Sequence, residues 1–379
     1  MPQAKGFRQV GYLDCPGGGQ VVVDGTTAYV GHMKGPEATS VIDVSDPAHP
    51  RITTQFNVDY PSGVHSHKVR AKNGLMVVNV EGAAHVGKIP DDYIPGLKIY
   101  DSSDPQHPKY LTTWRCARQG VHRFTFDGRY VYLSPCVEGY LQNIVMILDL
   151  QDPMHPQEVG RWWQPGQWAA GGETPAWKPS DAPRVPRCHH PIRMGDRLYT
   201  SYWHGGFHII DISNMAKPKA VSGLDWTPTF GYPVHTCLPI PFEIGGRKLM
   251  LVTDEDALSR WPASGSMLWM VDITDETRPT PISTLRLGHD ATGKPVPMHS
   301  TCHQPAEDVK GTEIPVVWFD QGLRMIDISD PHAPREVAHY VPDPHPTGTR
   351  VQSNDCCWDD RGLVYVLDRI GGLSIVERC

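Results

Sequence analysis

One short phrase returns along this chain and leaves few folds open to it. Met325-Ile326-Asp327-Ile328-Ser329-Asp330-Pro331 reads as an apolar strand running into an Asp-Pro turn. The phrase stands also at Val41–Pro47, Ile99–Pro105 and Ile147–Pro153, in worn form at Ile209–Ser213 and Met270–Asp275, and last at Leu373–Glu377. Its anchor acids, Asp43, Asp101, Asp149, Asp211, Asp272, Asp327 and Glu377, are spaced 58, 48, 62, 61, 55 and 50 residues apart. Units of that length are too long for leucine-rich or tetratricopeptide repeats and suit a four-stranded propeller blade.

The third unit reads strand by strand. Val121–Phe126 is the innermost strand, A. Asp127-Gly128 is a tight hairpin signal, followed by strand B at Tyr130–Leu133 and strand C at Ile144–Asp149. After Asp152-Pro153 comes strand D at Pro156–Trp162. Proline cannot donate to an interior ladder, so the 36 Pro and 36 Gly are turn and edge punctuation. The last copy of the phrase ends at a strand C. Phe7–Leu13 reads as a strand D with no A, B or C before it, and compares with Pro334–Tyr340. The expected fold is therefore all-β, a seven-bladed β-propeller over residues 1–379, in which the N-terminal strand completes the last blade and leaves no open edge.

The phrase I-D-I-S-D-P following Gly322-Leu323 resembles the LVIVD-repeat family of β-propeller proteins. The resemblance implies the fold and leaves the function open, since propellers host unrelated activities. One insertion breaks the repeat: residues 163–187, with Trp168 and Trp177, read either as a loop packed on the ring or as a lid over one face.

Composition narrows the function. A net charge of −7 provides no basic footprint for nucleic acid, and no apolar run is long enough to span a bilayer. The opening residues lack the apolar segment of a signal peptide, so a cytoplasmic protein is expected. Nine cysteines without a C-x-x-C pair fit free thiols in a reducing compartment.

The chemistry is expected at the openings of the innermost strands. Aligned through the hairpin that follows each, these are His67, His122, His190, His235 and His303 in blades 2 to 6, with Gly19 in blade 1 and Asp355 in blade 7. Only 19 of 379 residues are histidine, so five at equivalent openings is a concentration. Equivalent openings face one axis, which brings residues far apart in sequence to one channel mouth. Strand B returns to the same mouth, bringing Glu81 and Glu255. A ring of imidazoles with carboxylates close behind is the make-up of a metal site, because a ligating imidazole keeps its far N–H oriented by an acceptor. The competing reading is that each histidine braces its own blade. Against it stand the breaks at Gly19 and Asp355 and the extra His65, His189 and His299.

The five histidines are taken as the metal ligands, and Glu81, Glu255 and Asp355 as the catalytic acids. An imidazole-rich set suits Fe, Cu, Zn or Mn, with Fe(II) first, and leads to a non-haem iron oxidoreductase or oxygenase acting on a small apolar or aromatic substrate. The ring is similar in architecture to the carotenoid-cleavage oxygenases and to the selenium-binding propellers. A Zn- or Mn-dependent hydrolase, lyase or isomerase on the same site is the first alternative, and a non-catalytic binding or scaffold propeller the second. Cys302 beside His303 leaves a Cys–His nucleophile as a further reading, although neighbours on a strand face opposite ways.

Overall fold

The structure is a computed structural model, and it describes residues 2–60, 62–83, 87–117, 119–178, 185–227, 229–255, 266–296, 300–348 and 350–379. The described residues form antiparallel strands and two short 3-10 turns, at Ala169–Gly171 and Phe319–Gln321. No helix among them is long and apolar enough to cross a membrane.

Strand pairing divides the chain into four-stranded meanders. Their innermost strands are Gly18–Asp24, Val69–Lys72, Val121–Phe126, Pro186–Met194, Val234–Pro239, Cys302–Pro305 and Ser353–Trp358. Each touches the next, and Ser353–Trp358 touches Gly18–Asp24, so the seven close into a ring. The meanders of blades 4 and 5 join into one sheet through a single pairing, Trp203 with Val234. The ring closes as the sequence predicts: Phe7–Leu13 pairs antiparallel with Gly372–Arg378, Phe7 opposite Arg378. A strand the sequence reading did not anticipate, Gln3–Lys5, pairs with the outer edge of Arg335–Val341 in blade 6.

The recurring phrase has a physical cause. Its first acid accepts the backbone N–H two residues on: Ser45 to Asp43 at 2.9 Å, Ser103 to Asp101 at 2.8 Å, Ser213 to Asp211 at 2.8 Å, and Ser329 to Asp327 at 2.9 Å. Its second acid does the same, Ala48 to Asp46 and His332 to Asp330, both at 3.0 Å. Two successive Asx turns thus carry strand C into strand D without unpaired backbone groups. His49, His107 and His155 cap the same turns on Asp46, Asp104 and Asp152, which removes three histidines from any functional count. The apolar residues of the phrase, such as Ile42, Ile99, Ile147 and Ile326, are fully buried.

The core is distributed. Among the described residues, apolar clusters bridge successive blades, for example Val77, Leu97 and Ile99 of blade 2 with Phe124 and Leu133 of blade 3. Others join blades 3 and 4, 4 and 5, 5 and 6, 6 and 7, 7 and 1, and 1 and 2. Each buried Leu or Ile contributes about 1.5–3 kcal/mol, so blade-to-blade wedges hold the ring shut. The approach is close enough to dictate sequence. A Cβ on Gly11 would lie 1.9 Å from the Pro47 carbonyl oxygen, and one on Gly160 2.0 Å from that of Met215.

Candidate functional site

At one mouth of the channel the histidines form a continuous arc. Ring centroids step from His65 to His67 (4.3 Å), His122 (5.2 Å), His189 (4.8 Å), His235 (4.5 Å) and His303 (4.0 Å), and the arc ends on Phe319, 4.4 Å from His303. His67, His122, His235 and His303 all lie on this arc. In blade 4 the position belongs to His189, not His190. His190 pairs with Ser201 as Thr236 pairs with Thr253 in blade 5, so His190 matches Thr236 and His189 matches His235. His190 lies one step beyond the arc, fully buried, with Nε2 3.4 Å from Glu307. Asp355 is displaced likewise. Asn354 takes the arc position in blade 7 and offers its carbonyl to His303, while the Asp355 carboxylate accepts the backbone N–H groups of Val21 (3.2 Å) and Cys356 (2.9 Å). His299 lies outside the described residues.

Hydrogen bonds sort the imidazoles by which nitrogen is free. Nδ1 of His122 donates to Glu81 Oε1 (2.8 Å), Nδ1 of His189 to the His235 carbonyl (2.7 Å) and Nδ1 of His303 to the Asn354 carbonyl (2.6 Å). These three carry their Nε2 lone pairs unspent, the orientation that metal-binding imidazoles require. His235 donates from Nδ1 to Thr236 Oγ1 (2.8 Å), and Nη1 of Arg123 approaches its Nε2 at 2.9 Å. His67 differs. Asn79, oriented by the Lys68 N–H on its Oδ1, donates from Nδ2 to His67 Nδ1 at 3.2 Å, which places the proton of the neutral ring on Nε2. Both nitrogens of His65 face oxygens, the Met33 carbonyl (3.1 Å) and Glu81 Oε2 (2.9 Å).

The two predicted acids have different surroundings. Burial raises the Glu81 carboxyl, but His122 and His65 outweigh it and hold the group below the usual carboxylate range. Burial likewise raises Glu255, and the fields of Arg369 and Arg187 oppose it only in part. Glu255 Oε1 lies 3.8 Å from Nε2 of His303, Oε2 lies 3.9 Å from Nε2 of His235, and Oε2 is buried without a hydrogen-bond partner. Two trios bring potential ligand atoms within 4.8 Å of one another: His65, His67 and Glu81, and His189, His235 and Glu255. Burial, reinforced by neighbouring cationic and imidazole groups, pushes His189 and His235 well below their ordinary range, so both stand neutral. Burial lowers His122 to about 4 against the pull of Glu81.

The rim is aromatic and basic. Trp203 stacks on His189 (5.6 Å, 26°) beneath the Arg187 guanidinium, 3.6 Å from the indole centroid. Its backbone sits at φ 45°, a left-handed conformation that a bulky residue adopts only when its surroundings hold it there. Arg369 lies 4.9 Å from the Phe319 centroid. Other acids ending strand B are structural: Asp254 is raised to about 8 by burial and accepts the Trp269 indole N–H at 2.8 Å, and Asp368 caps Gln352 and Ile370. Cys302 lies in the apolar cluster between blades 5 and 6, where burial pushes its thiol well up, so geometry separates it from the His303 ring. The described part of the insertion is tied to blades 3 and 4. Gln167 donates to the Leu141 and Asn143 carbonyls (2.8 and 3.1 Å), and Trp163 and Trp168 flank Tyr140.

Sequence signals missed the depth of the channel. A charged side chain follows the ring histidine in blade 2 (Lys68) and in blade 3 (Arg123), which is unusual inside a strand. Both are buried.

The LVIVD repeat family matches residues 19–58, 194–225 and 314–341, segments of blades 1, 4 and 6 that make up well under half of the chain. No curated protein matches the chain. Among solved structures, a chain of the Mitotic Checkpoint Complex is 11% identical at TM-score 0.58, covering 98% of this chain and 90% of that one. The β-propeller domain of Cps50 (Swd1) from Myceliophteria thermophila is also 11% identical at TM-score 0.58, covering 98% and 99%. The C-terminal WD40 domain of Sif2 is 9% identical at TM-score 0.57, covering 98% and 97%. At such identities the likeness is one of fold, and the chain is a β-propeller.

Proposed function

We propose that this protein is a metal-dependent propeller whose ion is held by His189, His235, His303 and Glu255, with Fe(II) the first choice of metal. The observation that carries the reading is the spacing about Glu255. Its oxygens stand 3.8 and 3.9 Å from the Nε2 atoms of His303 and His235, and one of them is buried without a partner. That gap is too wide for a hydrogen bond and suits an ion with bonds of about 2.1 Å on either side. Three imidazoles and one carboxylate suit Fe, Mn, Zn or Cu better than Ca or Mg.

Bound iron would supply redox chemistry, which makes an oxidoreductase the favoured class. The chain's own groups have separate tasks in this reading. Glu81 fixes the His122 tautomer, so the pair takes up or delivers a proton at His122 Nε2. Trp203 and Phe319 offer flat apolar walls beside the arc, which suit a small apolar or aromatic substrate. A Zn- or Mn-dependent hydrolase, lyase or isomerase would use the same ligands. A cytoplasmic location belongs to the same proposal, as all nine cysteines stand as free thiols.

A second reading is a binding propeller without catalysis. It is favoured by the fold's likeness to a chain of the Mitotic Checkpoint Complex and by Arg123, whose Nη1 occupies the His235 Nε2 lone pair. Elemental analysis of protein purified without an affinity tag separates the two. About one transition-metal ion per chain is the expected result under the ligand set above. A metal-free, fully folded protein would establish the second reading.

A further inference from the structure

One residue beyond the arc, blades 2 and 3 turn two basic side chains into the channel, and burial and the neighbouring Arg123 push the Lys68 amine well below its ordinary range. Lys68 is 4% exposed and Arg123 1%. Arg123 spends Nη1 on the neutral imidazole of His235, and its Nε and Nη2 are buried without any hydrogen-bond partner. Lys68 Nζ reaches only the Gly19 carbonyl, at 3.5 Å. Among the described residues no carboxylate oxygen lies within 4.0 Å of either group. Three acids act on Arg123 at longer range: Asp355 is engaged with the backbone of Val21 and Cys356, both oxygens of Glu307 accept from Arg70 Nη2 at 2.7 and 2.6 Å, and Glu255 faces the histidine arc rather than the guanidinium. A third atom of the same layer, His190 Nε2, is buried with Glu307 Oε1 at 3.4 Å.

A guanidinium does not lose its proton in a protein, so Arg123 stays charged. A buried cation without a counter-charge is strongly destabilising, and each unmade bond of a buried donor adds to the cost. Water would satisfy the donors and leave the charge. An anion satisfies both. The nearby carboxylates Asp355 and Glu307 set its kind, because their charge repels a multivalent anion and tolerates a single negative charge. We infer that the channel beneath the histidine arc binds one small monoanion, of the halide, formate or bicarbonate class, held by Arg123 Nε and Nη2 and by Lys68 Nζ. Arg123 touches the proposed ligand His235 through Nη1, but the anion is held by its other two nitrogens, and the test below needs no metal.

Bromide is the probe. Crystals of the full chain soaked in sodium bromide should show an anomalous peak within hydrogen-bond distance of Arg123 Nη2. In solution, bromide and formate should raise the melting midpoint saturably, compared with sodium gluconate at equal ionic strength, since a ligand for the folded state stabilises by mass action. In Lys68→Met the saturable component should vanish. Bromide found only on surface lysines, an adventitious ion only, would overturn the inference. So would a melting response shared equally by the parent and Lys68→Met. If Arg123→Met fails to fold, the peak in the parent protein and the Lys68→Met melting series still decide.

Discussion

Glu81, at the end of a blade 2 strand, accepts a 2.8 Å hydrogen bond from Nδ1 of His122 in blade 3, so the carboxylate spans a blade interface. Glu255 has no such bond to the histidines facing it. The two acids should therefore respond differently to the same substitution. Glu255→Gln is expected to abolish metal retention through gel filtration. Glu81→Gln should keep the ion, with affinity weakened by no more than the roughly 10- to 100-fold typical of groups that orient a ligand. Chelator competition on both variants measures this, and equal losses would remove the distinction.

The place of His189 on the arc makes a second prediction. His189 stacks between His122 and His235, while His190 lies beyond the arc. His189→Ala should lose bound metal while the fold is retained. His190→Gln should keep the metal at parental stoichiometry. The opposite pattern in elemental analysis would restore the alignment made from sequence.

His208 links pH to stability away from the mouth. It lies between Trp162 and Tyr202, with ring centroids at 4.9 and 5.0 Å, and burial lowers it from 6.5 to about 4. The unfolded chain thus binds a proton that the folded chain refuses, and stability falls as pH drops from 6.5 toward 4. The full effect is on the order of 3 kcal/mol. His208→Phe should flatten that part of the denaturation profile between pH 7 and 4, measured as a shallower slope of unfolding free energy against pH.

Gly11 tests ring closure. A side chain there meets the Pro47 carbonyl oxygen, the turn of blade 1 against which the closing strand lies. Gly11→Ala should cost about 1–3 kcal/mol, as overpacking does. Deleting the first 14 residues should expose the edge of the last blade and cause aggregation. Unchanged melting in both proteins would show that closure contributes little.

Much of the architecture is legible in the sequence because it is local. Asp43 and Asp327 bond to their own backbone two residues on, so the phrase that makes the turn is contiguous. The strands of blade 3 fall within two residues of their expected bounds for the same reason. The arc is legible as a set of histidines but not in register. The hairpin after the strand does not carry its Gly and Asp at fixed offsets from one blade to the next, and the doublet His189-His190 offers the alignment two equal choices. Glu81 and Glu255 are expected in one role from the sequence, and the structure gives them different surroundings. Which acid is bonded and which is left open depends on partners from other parts of the chain, His122 for Glu81 and Arg369 for Glu255. Lys68 and Arg123 pass unnoticed because a charge inside a strand ordinarily marks a solvent face.

The pairing of Phe7–Leu13 with Gly372–Arg378 also sets an order of events during synthesis. The first of these strands leaves the ribosome long before its partner. At typical elongation rates the interval, roughly 360 residues, lasts on the order of 20 to 70 seconds. For that time an apolar strand has no edge to join, and the arc, whose members come from separate blades, does not exist. The arc is therefore a property of the finished ring alone, and a nascent chain is exposed to mispairing at its oldest end.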